Sequence, residues 1–198
     1  MKKNSGLFAA LVLGFACLFA FTGCNYNSLV ELREEVESQW SNVESQYQRR
    51  MDLVPNLVST VKAYAAHETE VYDSIAEARS KLGTTIAVDS SITDDPEKFK
   101  EFQQAQNQLG NSLSRLLSIT ENYPTLASNE NFCTLQSQLE GTENRIATER
   151  KRYNDVAKKY NAEIKKFPAL IYAKKMGFEE KAYFTADTVA AQAPKVEF

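Results

Sequence analysis

LVELREEVESQWSNVESQYQRRMDLVPNLVSTVKAYAAHETEVYDSIAEARSKL, residues 29–82, is the stretch that decides the fold. Apolar side chains recur in it three and four apart: Leu29, Leu32, Val36, Trp40, Val43 and Tyr47, then Val54, Leu57, Val61 and Tyr64, and finally Tyr72, Ile75 and Leu82. That spacing lays one apolar stripe along a helix and leaves Glu, Gln, Ser and Lys on the other faces. At the usual rise the helix would be about 80 Å long. No lone helix of that length buries its own stripe, so the rest of the chain is expected to pack against it. Pro55 interrupts the stretch. It has no N–H and crowds the preceding turn, so the helix should kink or break there. The apolar register continues on both sides of Pro55, which favours a kink. Alternatively, Asp52 caps a second segment with Pro55 in its first turn.

Downstream, Leu82-Gly83 looks like a helix end with Gly83 as its cap, followed by a connecting loop over residues 84–95. Thr93-Asp94-Asp95-Pro96-Glu97 announces a new helix: a capping Asp or Thr, proline in the first turn, and an acid near the N-terminus. Phe99, Phe102, Gln106, Leu109, Leu113, Leu116, Thr120 and Tyr123 carry it on, and it should stop before Pro124. A short turn over residues 124–129, with Ser128 or Asn129 as the next cap, makes the following helix antiparallel. Phe132, Leu135, Leu139, Ile146, Glu149, Tyr153, Tyr160 and Phe167 mark the seam of that helix, which is expected to run through Lys166. Pro168 opens a short fourth helix, with Leu170 and Ala173 on one side and Gly177 at its end. Residues 178–184 should lie extended, with Phe178, Tyr183 and Phe184 against the bundle. The fold class expected is all-α: an antiparallel helical bundle over residues 29–184 with long first and third helices. Residues 185–198 are small and polar and are expected to be a disordered tail.

The N-terminus reads as an address. Lys2 and Lys3 precede an apolar run over residues 7–21, which ends at Thr22-Gly23-Cys24. A positive start, a short apolar core and small residues before a cleavage point describe a secretory signal. The core is shorter than the roughly 20 residues of a comfortable membrane span. A small residue followed by Cys, directly after the apolar run, resembles the lipobox of bacterial lipoproteins. The resemblance implies cleavage before Cys24, diacylglycerol on its sulfur and an acyl group such as palmitate on its new amine. Phe21 departs from that pattern, standing where the lipobox usually has Leu. An uncleaved anchor helix that happens to end in Cys is the plainer alternative. Residues 1–23 are thus expected to be a signal peptide, and residues 24–28 the lipidated Cys and a short spacer in which Asn27 or Ser28 caps the first helix. Several acyl chains, at about 0.8 kcal/mol per buried CH₂, would hold the chain stably on a membrane.

Composition narrows the function classes. With residues 1–23 removed, 21 basic residues stand against 26 acidic ones, and no basic stripe is present. Nucleic acid is therefore not an expected partner. Cys133 would be the one thiol left, so no internal disulfide is expected; beside Phe132 it reads as a small buried hydrophobe. His67 is the only histidine. It cannot build the repeated Glu-x-x-His set of di-iron bundles, and His67-Glu68 does not extend to His-Glu-x-x-His. It is expected to hydrogen-bond a neighbour across the bundle. No Gly-x-Ser-x-Gly elbow and no phosphate-cradling glycine loop occurs. No catalytic residue, metal or cofactor is expected. More informative are polar residues in or beside the seams: Arg50, Arg79, Gln106, Glu149 and Arg150. A buried charge must be paired or costs several kcal/mol. Arg50, Asp52, Arg79 and Glu149 are expected to form a structural polar network that fixes helix register, with Arg50 and Arg79 meeting acids such as Glu149.

Taken in order, these pieces resemble one family. Asn25-Tyr26-Asn27 and Leu29-Val30 are followed by Trp40, then by Arg49-Arg50-Met51-Asp52-Leu53-Val54-Pro55-Asn56-Leu57-Val58 and Val61-Lys62-Ala63-Tyr64-Ala65-Ala66-His67-Glu68. Later come Glu121-Asn122-Tyr123-Pro124, Asn131-Phe132, Arg150, Tyr153-Asn154, Tyr160-Asn161, Gly177-Phe178 and Tyr183-Phe184. The set resembles the LemA family over essentially the whole mature chain. The resemblance implies an antiparallel helical bundle held at a membrane from its N-terminus and brings no catalytic activity with it. Two functions follow as expectations. One is a non-catalytic interaction module of the bacterial cell envelope, lipid-anchored at Cys24 on the exported side of the cell membrane or outer membrane, with another envelope protein as partner. The other is a small-ligand-binding or enzymatic bundle with a pocket near the Pro55 bend.

Overall fold

The computed structural model describes residues 4–85 and 90–185, with side chains described within 26–83 and 92–185. The described residues are mostly helical, and none of them is in a strand: α1 (Asn4–Lys62), α2 (Thr69–Thr85), α3 (Pro96–Thr120), α4 (Pro124–Ala127), α5 (Glu130–Ile164) and α6 (Ala169–Tyr172). Single turns of 3-10 helix cover Ser90–Asp94 and Lys174–Met176. The fold is the expected all-α antiparallel bundle with a long first helix and a long fifth element, α5, in the place of the expected third.

The contacts give the directions. α1 and α5 run antiparallel, because Glu35 meets Lys159 while Arg50 meets Glu143. α1 and α3 run parallel: Trp40 packs on Phe99 and Phe102, and ten residues on Arg50 reaches Gln106. α2 is antiparallel to α3, since Glu70 pairs with Arg115 and Lys81 donates to Gln108. The four long helices therefore go up, down, up and down.

One expectation about this path is corrected. The apolar stripe of residues 29–82 is not one rod. α1 ends at Lys62, the chain turns over residues 63–68, and α2 returns as a separate helix. Pro55 does not break α1. It faces solvent between buried Val54 and Leu57, where water can serve the carbonyl that loses its N–H partner. The reversal falls instead where the stripe thins, between Val61 and Val71. Ala65 is buried at the turn, and its carbonyl accepts from the Tyr72 hydroxyl at 2.8 Å, which clamps the start of α2 to the end of α1. Asn27 and Ser28, candidate caps, lie inside α1, which continues back to Asn4. Gly83 likewise falls inside α2, which runs on to Thr85.

The other helix starts follow local chemistry. Asp95 is the N-cap of α3: its carboxylate accepts from the backbone N–H groups of Glu97 at 3.1 Å and Lys98 at 3.2 Å, and Pro96 follows. Asn129 caps α5 by accepting from Phe132 N–H at 3.0 Å. Such caps are each worth about 1 kcal/mol. Residues 124–127 form a helical turn between them.

At the other end of α5 the expected seam does not extend to Phe167. α5 stops at Ile164, Phe167 falls in the turn and is exposed. In α6 and the residue after it, Ala169 and Ala173 are buried four apart, so Leu170 and Ile171 face outward; Leu170 does not share the inner side with Ala173. Gly177 ends the segment at φ 77°, in the left-handed region that glycine enters without a steric cost. Residues 178–185 then run extended along the bundle. Phe178 and Phe184 are buried as expected, while Tyr183 is exposed. Of the tail expected over residues 185–198, all but Thr185 lies outside the described residues, as does the side chain of Cys24.

Candidate interaction sites in the core, along the strap and at the two ends

The sequence-selected polar residues fall in three places. Arg50 is buried between α1, α3 and α5. Its Nε donates to Glu143 Oε1 at 2.6 Å, its second terminal nitrogen pairs with Glu143 Oε2, and Nη1 donates to the Gln106 carbonyl at 3.3 Å and Oε1 at 3.2 Å. The guanidinium also lies 5.6 Å from the centre of the Tyr47 ring. Glu149 is elsewhere on α5: it accepts from Gln39 at 2.6 Å and from Arg152 at 2.8 Å. Asp52 is exposed and accepts from Gln48 at 2.8 Å. Arg79 is half-buried on α2, with Nε lacking a hydrogen-bond partner among the described residues. The four do not form one network: Arg50 takes Glu143, not Glu149, as its counter-charge. On α5 these two carboxylates are six residues apart, so only one of them comes level with Arg50.

Two further positions differ from expectation. Cys133 is exposed, its thiol 3.3 Å from the Ala127 carbonyl. The neighbouring Phe132 takes the inward position, and the next residue is turned about 100° further round the helix, which here carries Cys133 outward. His67 is exposed in the α1–α2 turn and does not reach across the bundle.

Around Trp40 the core is aromatic. Its ring lies 5.7 Å from Phe99, 5.6 Å from Phe102, 5.7 Å from Tyr153 and 6.1 Å from Phe184. Phe184 comes from the extended strap, whose backbone is held by side-chain amides. Asn161 accepts from Lys181 N–H and donates to Lys181 C=O, both at 2.8 Å. Seven residues earlier on α5, Asn154 does the same for Phe184 at 2.9 Å each way. Gln103 of α3 donates to Thr185 C=O at 2.5 Å. Each amide imitates the paired bonds of a neighbouring strand, so the strap needs no sheet. Buried Lys181 pairs with Asp94 at 2.6 Å and donates to Thr93 Oγ1 at 3.2 Å. Tyr153 and Tyr160 are fully buried beside the strap. Burial, helped by the Asp94 carboxylate and opposed by Arg33, pushes the Tyr160 phenol up to about 12. Tyr153 moves up for the same first reason. Sequence spacing marks Trp40, Phe99, Phe102, Tyr153 and Tyr160 as seam residues, leads to Phe184 being expected against the bundle, and puts Asn154 and Asn161 on one helix face; the amide clamps and the meeting of these rings around Trp40 are not visible in it.

Clefts of about 400–460 Å³ flank α5. One is lined by residues that include Leu113, Leu139 and Glu143, and another by residues that include Arg150, Asn154 and Phe184. A third, of about 410 Å³, lies between the end of α5 and residues 170–180. Pro55 and its neighbours line none of these three. Among the described residues no group of His, Cys, Asp and Glu is placed to hold a metal, and no helix carries a segment long and apolar enough to cross a membrane.

The ends of the bundle differ. At one, the α1–α2 turn meets the α3–α5 turn: Tyr123 donates to Glu68 at 3.3 Å, and Asn129 donates to Tyr64 at 3.2 Å. At the other, Tyr26 packs edge-on against Phe178 at 5.7 Å, next to α6.

A model of the LemA family matches residues 39–198. Magnetosome protein MamQ 2 and magnetosome protein MamQ 1 of Paramagnetospirillum magneticum are each 30% identical over 188 residues, covering 87% of this chain and 69% of the relative. Magnetosome protein MamQ of Magnetospirillum gryphiswaldense is 29% identical over 193 residues, covering 90% of this chain and 71% of its own length. The Trp40 that anchors the aromatic core, the Glu68–Tyr123 closure and the Asn154 and Asn161 clamps all fall within the matched region, and the chain belongs to the LemA family.

Proposed function

We propose that this chain is a non-catalytic interaction module of the bacterial cell envelope, tethered to a membrane from its N-terminus through an acylated Cys24. Residues 1–23 act as the signal peptide, and the bundle stands on the exported side. One observation carries the reading: the apolar run over residues 7–21 and Gly23-Cys24 lie within α1, which continues without interruption from Asn4 to Lys62 in the bundle. Any anchor there is coupled rigidly to the fold and presents the turns at residues 63–68 and 124–129 away from the membrane. The relatives' name, magnetosome protein, associates them with a cell structure and not with a reaction, which agrees with an interaction role. The partner is another envelope protein that meets the exposed helix faces or the far turns.

Metabolic labelling with a palmitate analogue tests the tether. The wild-type chain should incorporate label and lack residues 1–23 by mass spectrometry. Cys24→Ser should do neither. An unlabelled Cys24 in a chain that retains Met1 would remove the acyl anchor from the proposal. Capture of the native protein from membranes after mild cross-linking tests the module, and recovery of no envelope protein would count against it.

A further inference from the structure

The end of the bundle from which the apolar run departs also carries large apolar side chains that the fold leaves outside. Phe167, Leu170, Ile171 and Met176 are 80%, 64%, 66% and 56% exposed. They fall within ten residues of chain: α6 packs through Ala169, Tyr172 and the following Ala173 and turns Leu170 and Ile171 out, while Phe167 and Met176 lie in the turns on either side. Exposed apolar residues gathered this closely mark an interaction surface. Lysines frame them: Lys165 and Lys166 before, Lys174 and Lys175 within, and no acid between residues 165 and 176. Lys165 is paired with Glu180 and Lys166 with Glu163, while Lys174 and Lys175 make no ion pair among the described residues.

Two contacts tie this surface to the anchor. The Tyr26 ring meets the Phe178 ring at 5.7 Å, and the Arg33 guanidinium lies 5.1 Å from the centre of the Phe178 ring. Tyr26 is two residues beyond Cys24, about 3 Å along a helix axis. Phe178 is two residues beyond Met176. The surface therefore sits level with the point where either an acylated Cys24 or an uncleaved apolar helix would enter a bilayer.

We propose that residues 165–176 form a membrane-contacting foot. Phe167, Leu170, Ile171 and Met176 enter the boundary between headgroups and acyl chains, and Lys174 and Lys175 lie among anionic headgroups. Rings and aliphatic chains flanked by lysine are what that boundary takes up, and each lysine near an anionic surface adds to the attraction. The folded bundle, and not only its N-terminal tether, then touches the membrane. The inference rests on the tethering above for its orientation.

The test uses the full chain reconstituted in phosphatidylcholine vesicles, with or without phosphatidylglycerol, and with brominated acyl chains as quenchers. Trp40 is buried and gives a constant background. L170W should shift to shorter wavelength and lose emission to the brominated lipid, more so with phosphatidylglycerol. S128W, at the opposite end, should do neither. Adding K174Q and K175Q to L170W should remove the gain that phosphatidylglycerol brings. A chain that co-floats with vesicles while L170W is quenched no more than S128W would overturn the foot and leave the tether standing. Quenching of L170W in a chain with unmodified Cys24 would keep the foot without the acyl anchor. Failure to co-float would remove both. Quenching indifferent to phosphatidylglycerol would overturn the role given to the lysines. A shift that grows with protein-to-lipid ratio but not with bromination would put a second copy on the surface instead.

Discussion

Glu143 holds the counter-charge of Arg50, a cation buried in the core. Its own carboxylate is 40% exposed, whereas the Arg50 side chain is nearly enclosed. The pair is therefore asymmetric. Glu143→Met leaves Arg50 buried with only Gln106 oxygens as partners and is expected to cost about 2 kcal/mol, less than a fully buried pair because water reaches the site. Arg50→Met with Glu143→Met removes the cation as well and should recover part of that loss. Urea unfolding of the single and double variants measures the difference, and a double variant no more stable than Glu143→Met would contradict it. Tyr160 gives the pH dependence. Its phenol is raised from the usual 10.0 to about 12, chiefly by burial, so the folded state favours the neutral form. The stability it contributes is whole below pH 10.0 and is lost as pH rises through about 12. Its hydroxyl has no hydrogen-bond partner among the described residues. Tyr160→Phe should thus be neutral or stabilising by about 1 kcal/mol at neutral pH and should reduce the alkaline loss, read from melts between those limits. Sequence marked Arg50 and Tyr160 as seam residues. It could not choose Glu143 over Glu149, because helical spacing puts both near the seam and only the register of α5 against α1 selects one.

The strap over residues 178–185 is held by the faces of α3 and α5 rather than by a strand. Asn161→Ala would leave Lys181 N–H and C=O without partners in a buried setting. About 1–3 kcal/mol should be lost locally. Hydrogen exchange should show the amides of residues 181–185 opening while those of α5 stay protected, and equal protection in the variant would rule out the clamp. Expected element boundaries held best where chemistry is local: Asp95 and Pro96 open α3, Asn129 opens α5, and Gly177 turns the chain at φ 77°. They failed where it is not. Nothing at residues 63–68 is a Gly or Pro breaker, and the reversal depends on Tyr72 reaching back to Ala65.

At the scale of the whole molecule, Trp40 gathers α1, α3, α5 and the strap around one ring. None of α1, α3 and α5 can leave without exposing that cluster, so these three helices and the strap should unfold as one unit. Trp40 is the only tryptophan, which makes its fluorescence a probe of the core. Its transition in denaturant should coincide with loss of helical circular dichroism; an earlier fluorescence transition would mean that the strap and aromatic core separate first. Apolar spacing and local capping residues by themselves determined that the chain is helical, which faces of the long helices are buried and where α3 and α5 start, because those properties depend on neighbours within a turn or two. The order of residues 7–24 likewise supplied the expected address. Only the tertiary structure decided that one stripe is two antiparallel helices, that Arg50 pairs with Glu143, and that Phe167 and Leu170 are outside. Those outcomes depend on which residues come level across helices, and spacing along one chain does not contain that distance.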